Sequence, residues 1–201
     1  DILSNWFSDK AMRSSRKIFL RNVYAEGRDR ENEFLNYAKS MESFHRDTLD
    51  DEGKFMTDEA YEPIKQKMID AIPEGTNQNL KQKLTSTLKY AHHFGFQRRI
   101  REILLQLPSQ LENIMFKDGK KLKAFAGDVT NTRNYYTHIG DVPNYYFKEW
   151  SLYLANKRMH TVLFYHLCKR LCINDDIVCT VILQNDGLVQ WLQNAKHELE
   201  N

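Results

Sequence analysis

The sequence predicts an all-α fold, a helical bundle, and three observations carry that reading. Apolar residues recur at three- and four-residue spacing in segment after segment, the period of an amphipathic helix. Gly 8 and Pro 4 are too few among 201 residues to punctuate the many turns of a β-sandwich or barrel. No strand–helix alternation appears, which excludes a doubly wound sheet. The length suits one domain spanning residues 1–201, with enough chain to bury a core without a metal or disulfide. With 41% hydrophobic and 28% charged residues the chain is not disordered. A formal charge of +2 offers no bulk argument for nucleic-acid binding.

The first helix is expected over Asp9–Tyr24, with Ile18, Phe19 and Val23 on its apolar side. Its cations Arg13, Arg16, Lys17 and Arg21 form either a solvated face or a phosphate-facing one. The next runs from about Asp29 to Leu49 with a stripe of Phe34, Leu35, Ala38, Met41 and His45. Glu42 falls near that stripe, either exposed at its edge or partnered by a buried cation. Asp50, Asp51, Glu52 and Gly53 form an acidic turn, after which Thr57 or Asp58 caps a helix carrying Ile64, Met68 and Ile69. Pro63 sits early in that helix or breaks it, and residues 71–79 are a loop. Leu80, Leu84, Leu88 and Ala91 mark a helix ending near Gly95. Ile100, Ile103, Leu104 and Leu107 mark the next, stopped by Pro108. Arg98, Arg99 and Arg101 would leave a basic patch there. A helix from about Gly119 to Asn131 buries Leu122, Phe125, Ala126 and Val129. After Asp141, Val142 and Pro143 comes the longest helix, about Asn144 to Cys172. It is apolar on more than one face, as a central helix is. Two short helices, broken near Asp186-Gly187, complete the chain.

Chemistry-bearing motifs are sparse. There is no P-loop, GxGxxG, GxSxG or HExxH. Adjacent His92 and His93, beside a helix end, would point about 100° apart and share a metal poorly. His160 and His166 read as packing histidines of the long helix. Cys168, Cys172 and Cys179 read as buried free thiols, the first two on one helix face. His166 alone does not complete a zinc site with them. No metal and no cofactor is therefore expected. Free thiols suit a reducing compartment, so a cytoplasmic location is expected. No apolar run approaches the length of a membrane span, and no signal-peptide pattern opens the chain. A start at Asp1 rather than methionine suggests a domain of a longer protein.

One constellation is different: Arg133-Asn134-Tyr135-Tyr136-Thr137-His138. Twelve arginines and seven histidines in 201 residues give about 0.4 Arg/His pairs at this spacing by chance, and requiring Asn after the Arg lowers that to about 0.03. The plain reading is a polar turn with a surface Arg and a capping Asn. The chemical reading starts from a regular helix, where Asn134 and His138 share a face. Arg133 lies about 140° from His138, but its long stem can bring the guanidinium to the same edge. Arg is a fixed cation whose fork matches phosphate, and His gives or takes a proton near neutral pH. Cleavage of an RNA phosphodiester without a metal needs those functions: a base for the 2′-OH, an acid for the leaving 5′-oxygen and a cation for the phosphorane. One His cannot easily be acid and base at once, whereas a two-fold axis would supply two. Tyr135 and Tyr136 either pack the core or interface, or stack on an unpaired base.

This motif, after an amphipathic helix and before a long apolar one, resembles the HEPN domains, and most closely their ApeA-like branch of anti-phage abortive-infection proteins. The resemblance covers roughly Phe34 to Cys172. It implies a helical bundle of HEPN type, homodimeric, with the two motifs meeting at the interface. It implies a metal-independent endoribonuclease acting on single-stranded or loop RNA, such as a tRNA anticodon loop, and leaving a 2′,3′-cyclic phosphate. Arg133 and His138 carry over as catalytic residues, Asn134 as a supporting one, and Glu42, an acidic residue facing the motif region, as a substrate-binding one. In that branch a β-rich domain usually precedes the HEPN domain, and this chain lacks it. The alternative class is a non-catalytic helical dimerisation or binding module, docking a partner through Arg98, Arg99 and Arg101.

Overall fold

In the computed structural model, which describes residues 2–25, 27, 29–49, 53–138 and 142–200, eleven α-helices form and no strand appears among the described residues. None of these helices is long and apolar enough to cross a membrane. The chain divides into two compact units, Asp1–Thr48 with Phe96–Asn201, and Leu49–Gly95.

The first unit is organised around α9 (Glu149–Arg170), twelve of whose residues are buried. A helix apolar nearly all round must be enclosed, and α3 (Arg30–Thr48), α10 (Asp175–Leu183) and α11 (Asp186–Glu198) pack directly on it. Along α3, Phe34, Ala38, Met41 and His45 are buried as the spacing predicts, joined by Tyr37 and Phe44. Each large apolar side chain so enclosed contributes roughly 1.5–3 kcal/mol. On the remaining sides, α2 (Arg13–Tyr24) packs on α3, and α6 (Phe96–Leu104) packs on α3 and on α8 (Gly119–Thr137). Arg13, Lys17 and Arg21 of α2 are exposed, while Arg16 lies over the Trp6 ring of α1 (Ile2–Ser8).

Several boundaries differ from the sequence reading. The expected first helix is two, α1 and α2, with the chain turning at residues 9–12. Pro108 does not merely stop α6. It is the N-cap of α7 (Ser109–Met115), because proline's fixed φ and missing N–H suit a helix start. The long helix begins at Glu149 rather than near Asn144. There the Ser151 hydroxyl accepts from the Lys148 N–H (2.9 Å) and donates to the Lys148 carbonyl (2.8 Å). It ends at Arg170, since Cys172 adopts φ +63°, and the Ile173 and Cys172 N–H groups close back on the Cys168 and Lys169 carbonyls. Cys172 therefore lies past the helix and is exposed, Cys168 is half-buried and Cys179 is buried.

The second unit is a helical hairpin. Thr57 caps α4 (Asp58–Asp70) by accepting from the Ala60 N–H, and Asn77 caps α5 (Gln78–Leu88). Pro63 sits inside α4 without ending it. Only Tyr61 of α4 is buried, and Ile64, Met68, Leu80 and Leu84 remain substantially exposed, so the apolar stripes expected here do not enclose a core. The acidic turn residues Asp50, Asp51 and Glu52, and Asp141 before the long helix, lie outside the described residues.

Candidate functional site

The motif occupies the C-terminal end of α8. Asp118 starts that helix by accepting from the Lys121 N–H at 2.8 Å, and Leu122, Phe125, Ala126 and Val129 anchor it in the core. It continues past Asn131 to Thr137. The Thr137 hydroxyl donates to the Arg133 carbonyl at 2.7 Å, a back-bond typical of threonine in a last turn. His138 is the C-cap, with extended φ −128° and ψ 128°, and its N–H donates to the Asn134 carbonyl at 2.9 Å. The sequence argument that Asn134 and His138 share a helical face thus fails at its last residue, because His138 has left helical geometry. The two remain linked through that backbone hydrogen bond.

Arg133 and Asn134 are side by side at the helix end, with Arg133 Nη1 3.4 Å from Asn134 Oδ1. The guanidinium lies over the Phe96 ring of α6, 4.9 Å from its centroid. It also approaches Glu42 of α3, Nη2 to Oε2 at 4.0 Å. Glu42 is engaged on its other oxygen by Arg46, through Nη2 at 2.9 Å and Nε at 3.2 Å. Glu42 falls between the two sequence alternatives: it is half-buried at the stripe's edge, and its cations, Arg46 and Arg133, are exposed and partly exposed rather than buried. One carboxylate between two guanidinia leaves net positive charge at the end of α8. The Arg133 side chain retains 36% of its exposure. His138 is exposed, and no group among the described residues holds its ring.

The tyrosines face another way. Tyr136 packs on the core and donates from its hydroxyl to the Phe147 carbonyl at 3.2 Å. Burial pushes its pKa up to about 12. Tyr135 lies with its ring centroid 4.0 Å from that of Tyr146, and the hydrogen bond to Tyr146 raises its pKa. Both hydroxyls stay protonated at neutral pH. Phe147 is fully buried, and its N–H donates to Thr132 at 2.9 Å, which fastens the segment after the motif back onto α8.

The basic patch read from Arg98, Arg99 and Arg101 is broken up, with Arg98 exposed and Arg101 half-buried. Arg99 is buried and donates to His45 Nδ1 at 3.0 Å, and Arg98 pairs with Glu102 at 2.6 Å. The physical reason is the steep amphipathicity of α6, whose successive residues lie about 100° apart, so neighbours in sequence reach different faces. His166 is a core histidine, donating from Nε2 to the Ile103 carbonyl at 2.9 Å. His160 pairs with the Tyr37 hydroxyl at 3.0 Å. Residues that sequence reasoning missed are Phe96, Arg46 and Tyr146. The i,i+4 pair of Glu42 and Arg46 was available as a signal. The aromatic floor beneath Arg133 is a contact 37 residues apart with none.

The family model described as Apea-like HEPN matches residues 35–177, taking in most of α3, the whole second unit, the motif and the long helix. No curated protein and no solved structure matches the chain.

Proposed function

The chain belongs to the Apea-like HEPN family, and from that premise we propose that it is a metal-independent endoribonuclease of anti-phage abortive infection, acting on single-stranded or loop RNA such as an anticodon loop. The observation that carries the reading is the end of α8. A partly exposed arginine with a shared counter-ion and an exposed histidine, whose ring no described residue holds, stand five residues apart in the chain. Two copies related by a two-fold axis would supply two His138 and two Arg133 to one phosphodiester. One His138 takes the ribose 2′-OH proton as the 2′-oxygen attacks phosphorus. The other gives a proton to the 5′-oxygen as the P–O5′ bond breaks. The products are a 2′,3′-cyclic phosphate and a free 5′-hydroxyl. The Arg133 guanidinia face the phosphorane charge, with a fork that fits its oxygens. Asn134 positions the pair: its carbonyl fixes the His138 backbone and its amide oxygen meets Arg133. Glu42, a carboxylate, would repel phosphate, so its role is to orient Arg133 and not to bind RNA. Tyr136 is a packing residue. Tyr135, with Tyr146, is the better candidate to meet a base.

Loop RNA is the expected substrate because in-line attack needs a flexible backbone, which a duplex withholds. Incubating structured RNA with the protein in EDTA tests the proposal. Cutting confined to loops, with cyclic-phosphate ends, supports it. No cutting by a confirmed dimer, or equal cutting of paired and unpaired segments, refutes it. A binding module working through Arg98, Arg99 and Arg101 would have to do without Arg99, which is enclosed.

A further inference from the structure

The second unit is closed at its base by two short antiparallel stretches. The Phe55 N–H donates to the His92 carbonyl at 2.8 Å, the Phe94 N–H to the Gly53 carbonyl at 2.8 Å, and Lys54 pairs with His93 as an isolated bridge. This pairing brings the first turn of α4 against the chain leaving α5. Asp58 Oδ1 stands 2.6 Å from His92 Nε2, and one donor atom from each of Asp58, His92 and His93 lies within 4.8 Å of the others. The sequence argument against the histidine pair assumed helical backbone. Here His92 lies in a turn and His93 in the bridge, and their rings meet edge to face with centroids 4.4 Å apart.

His92 is unusual for a hydrogen-bonded surface pair. Its side chain is 4% exposed, and its ring stacks on Tyr61 at 4.2 Å. Its buried Nδ1 has no hydrogen-bond partner among the described residues. The ring is therefore held in one place and orientation by packing, which is the preorganisation a metal ligand needs. We propose that Asp58, His92 and His93 form a divalent metal site, with zinc as its occupant, which staples the start of α4 to the exit of α5.

The donor set supports that choice: two imidazole nitrogens and a carboxylate suit zinc, with a water completing four-coordination. Metal–ligand bonds of about 2.0–2.2 Å place tetrahedral donors roughly 3.3 Å apart. The Asp58–His92 contact then opens by under about 1 Å, and His93 closes in. The resident competitor is Lys54, whose Nζ meets Asp58 Oδ2 at 2.9 Å. Its flexible stem is partly exposed, so the ammonium can withdraw to water as the metal arrives. The site lies wholly within the second unit, and the proposal is independent of the ribonuclease reading.

The test uses the full chain, stripped of metal with EDTA and dialysed. Zinc titrated calorimetrically should bind at one per chain and raise the melting temperature. Asp58→Asn and His93→Ala should each weaken binding by at least about tenfold, with metal-free helix content unchanged by circular dichroism. Cobalt substituted for zinc should give visible d–d bands without a sulfur-to-metal charge-transfer band. Absence of stoichiometric binding overturns the proposal, as does wild-type affinity in both variants. A thiolate band would place the metal on cysteine and would overturn it equally.

Discussion

Arg133 and Arg158 are built from the same parts and put to opposite uses. Each lies on a long helix over phenylalanine: Arg133 over Phe96 at 4.9 Å, Arg158 over Phe116 and Phe125 at 4.6 and 5.1 Å. Each has a glutamate. Arg158 meets Glu200 at 2.6 Å, donates also to the Met115 carbonyl, and is 1% exposed. Burial pulls its pKa down to about 10, opposed by Glu200, so it stays charged at neutral pH. Glu200 is itself engaged by the Lys117 N–H at 2.8 Å. Arg133 keeps a third of its exposure, and Glu42, at 4.0 Å, is shared with Arg46. A buried cation must be matched by its own protein, because an unmatched charge in low dielectric is costly. A cation left at the surface with a divided counter-ion remains attractive to phosphate. Burial and pairing, more than residue type, separate the scaffold arginine from the proposed catalytic one.

The contrast breaks most visibly in activity. His138→Ala and Arg133→Ala should each lower cleavage of a loop RNA by about 10²–10⁴-fold, while unfolding free energies from urea denaturation stay within about 0.5 kcal/mol of wild type. Wild-type cutting by either variant would remove these residues from the reaction. At the buried site the effect should move to stability. Arg158→Ala leaves Glu200 charged and enclosed and should cost about 3–5 kcal/mol. Replacing both partners together, as Arg158→Met with Glu200→Leu, should recover much of that loss. A single-variant cost under about 1 kcal/mol would mean that Arg158 is not the anchor described.

The two histidines extend the comparison to pH. His138 is exposed, whereas His166 is enclosed beside Phe44 and Tyr165. Burial pulls the His166 pKa down from 6.5 to about 4, against the Ile103 hydrogen bond, which raises it. With the folded pKa depressed, the unfolded chain takes up the proton first as the solution acidifies. This contribution to stability is whole above pH 6.5, falls between 6.5 and about 4 and is gone below. Its size is on the order of 3 kcal/mol. Stability curves over that window should be flatter in His166→Gln than in wild type, and parallel curves would contradict the assignment. The smallest effect belongs to the floor beneath Arg133. Phe96→Leu removes a contact worth about 0.5–1 kcal/mol, so cleavage should fall only a few-fold. A loss as large as that of Arg133→Ala would show that Phe96 does more than support the guanidinium.

The all-α class, the α3 stripe from Phe34 to His45, a helix cap at Thr57 or Asp58 and the central position of the long helix were legible in the sequence. So was the motif, because its residues fall within six positions of one another. The division into two units was not, since α4 and α5 carry apolar residues at helical spacing like any core helix and yet leave them exposed. Nor was the burial of Arg99, one member of an apparent basic cluster.

Helical period, capping and motif spacing are local properties, governed by 3.6 residues per turn and by hydrogen bonds that reach no more than a turn or so along the chain. A sequence read alone therefore determines where most helices lie and that Arg133, Asn134 and His138 share one stretch of chain. Desolvation and charge pairing are set by whatever the fold brings from elsewhere. Glu200 comes to Arg158 from 42 residues away, Glu42 to Arg133 from 91, and Asp58 to His92 from 34. Only the tertiary structure decides those meetings. They determine which arginine is enclosed beside its own carboxylate and which is left nearer the surface with a shared one.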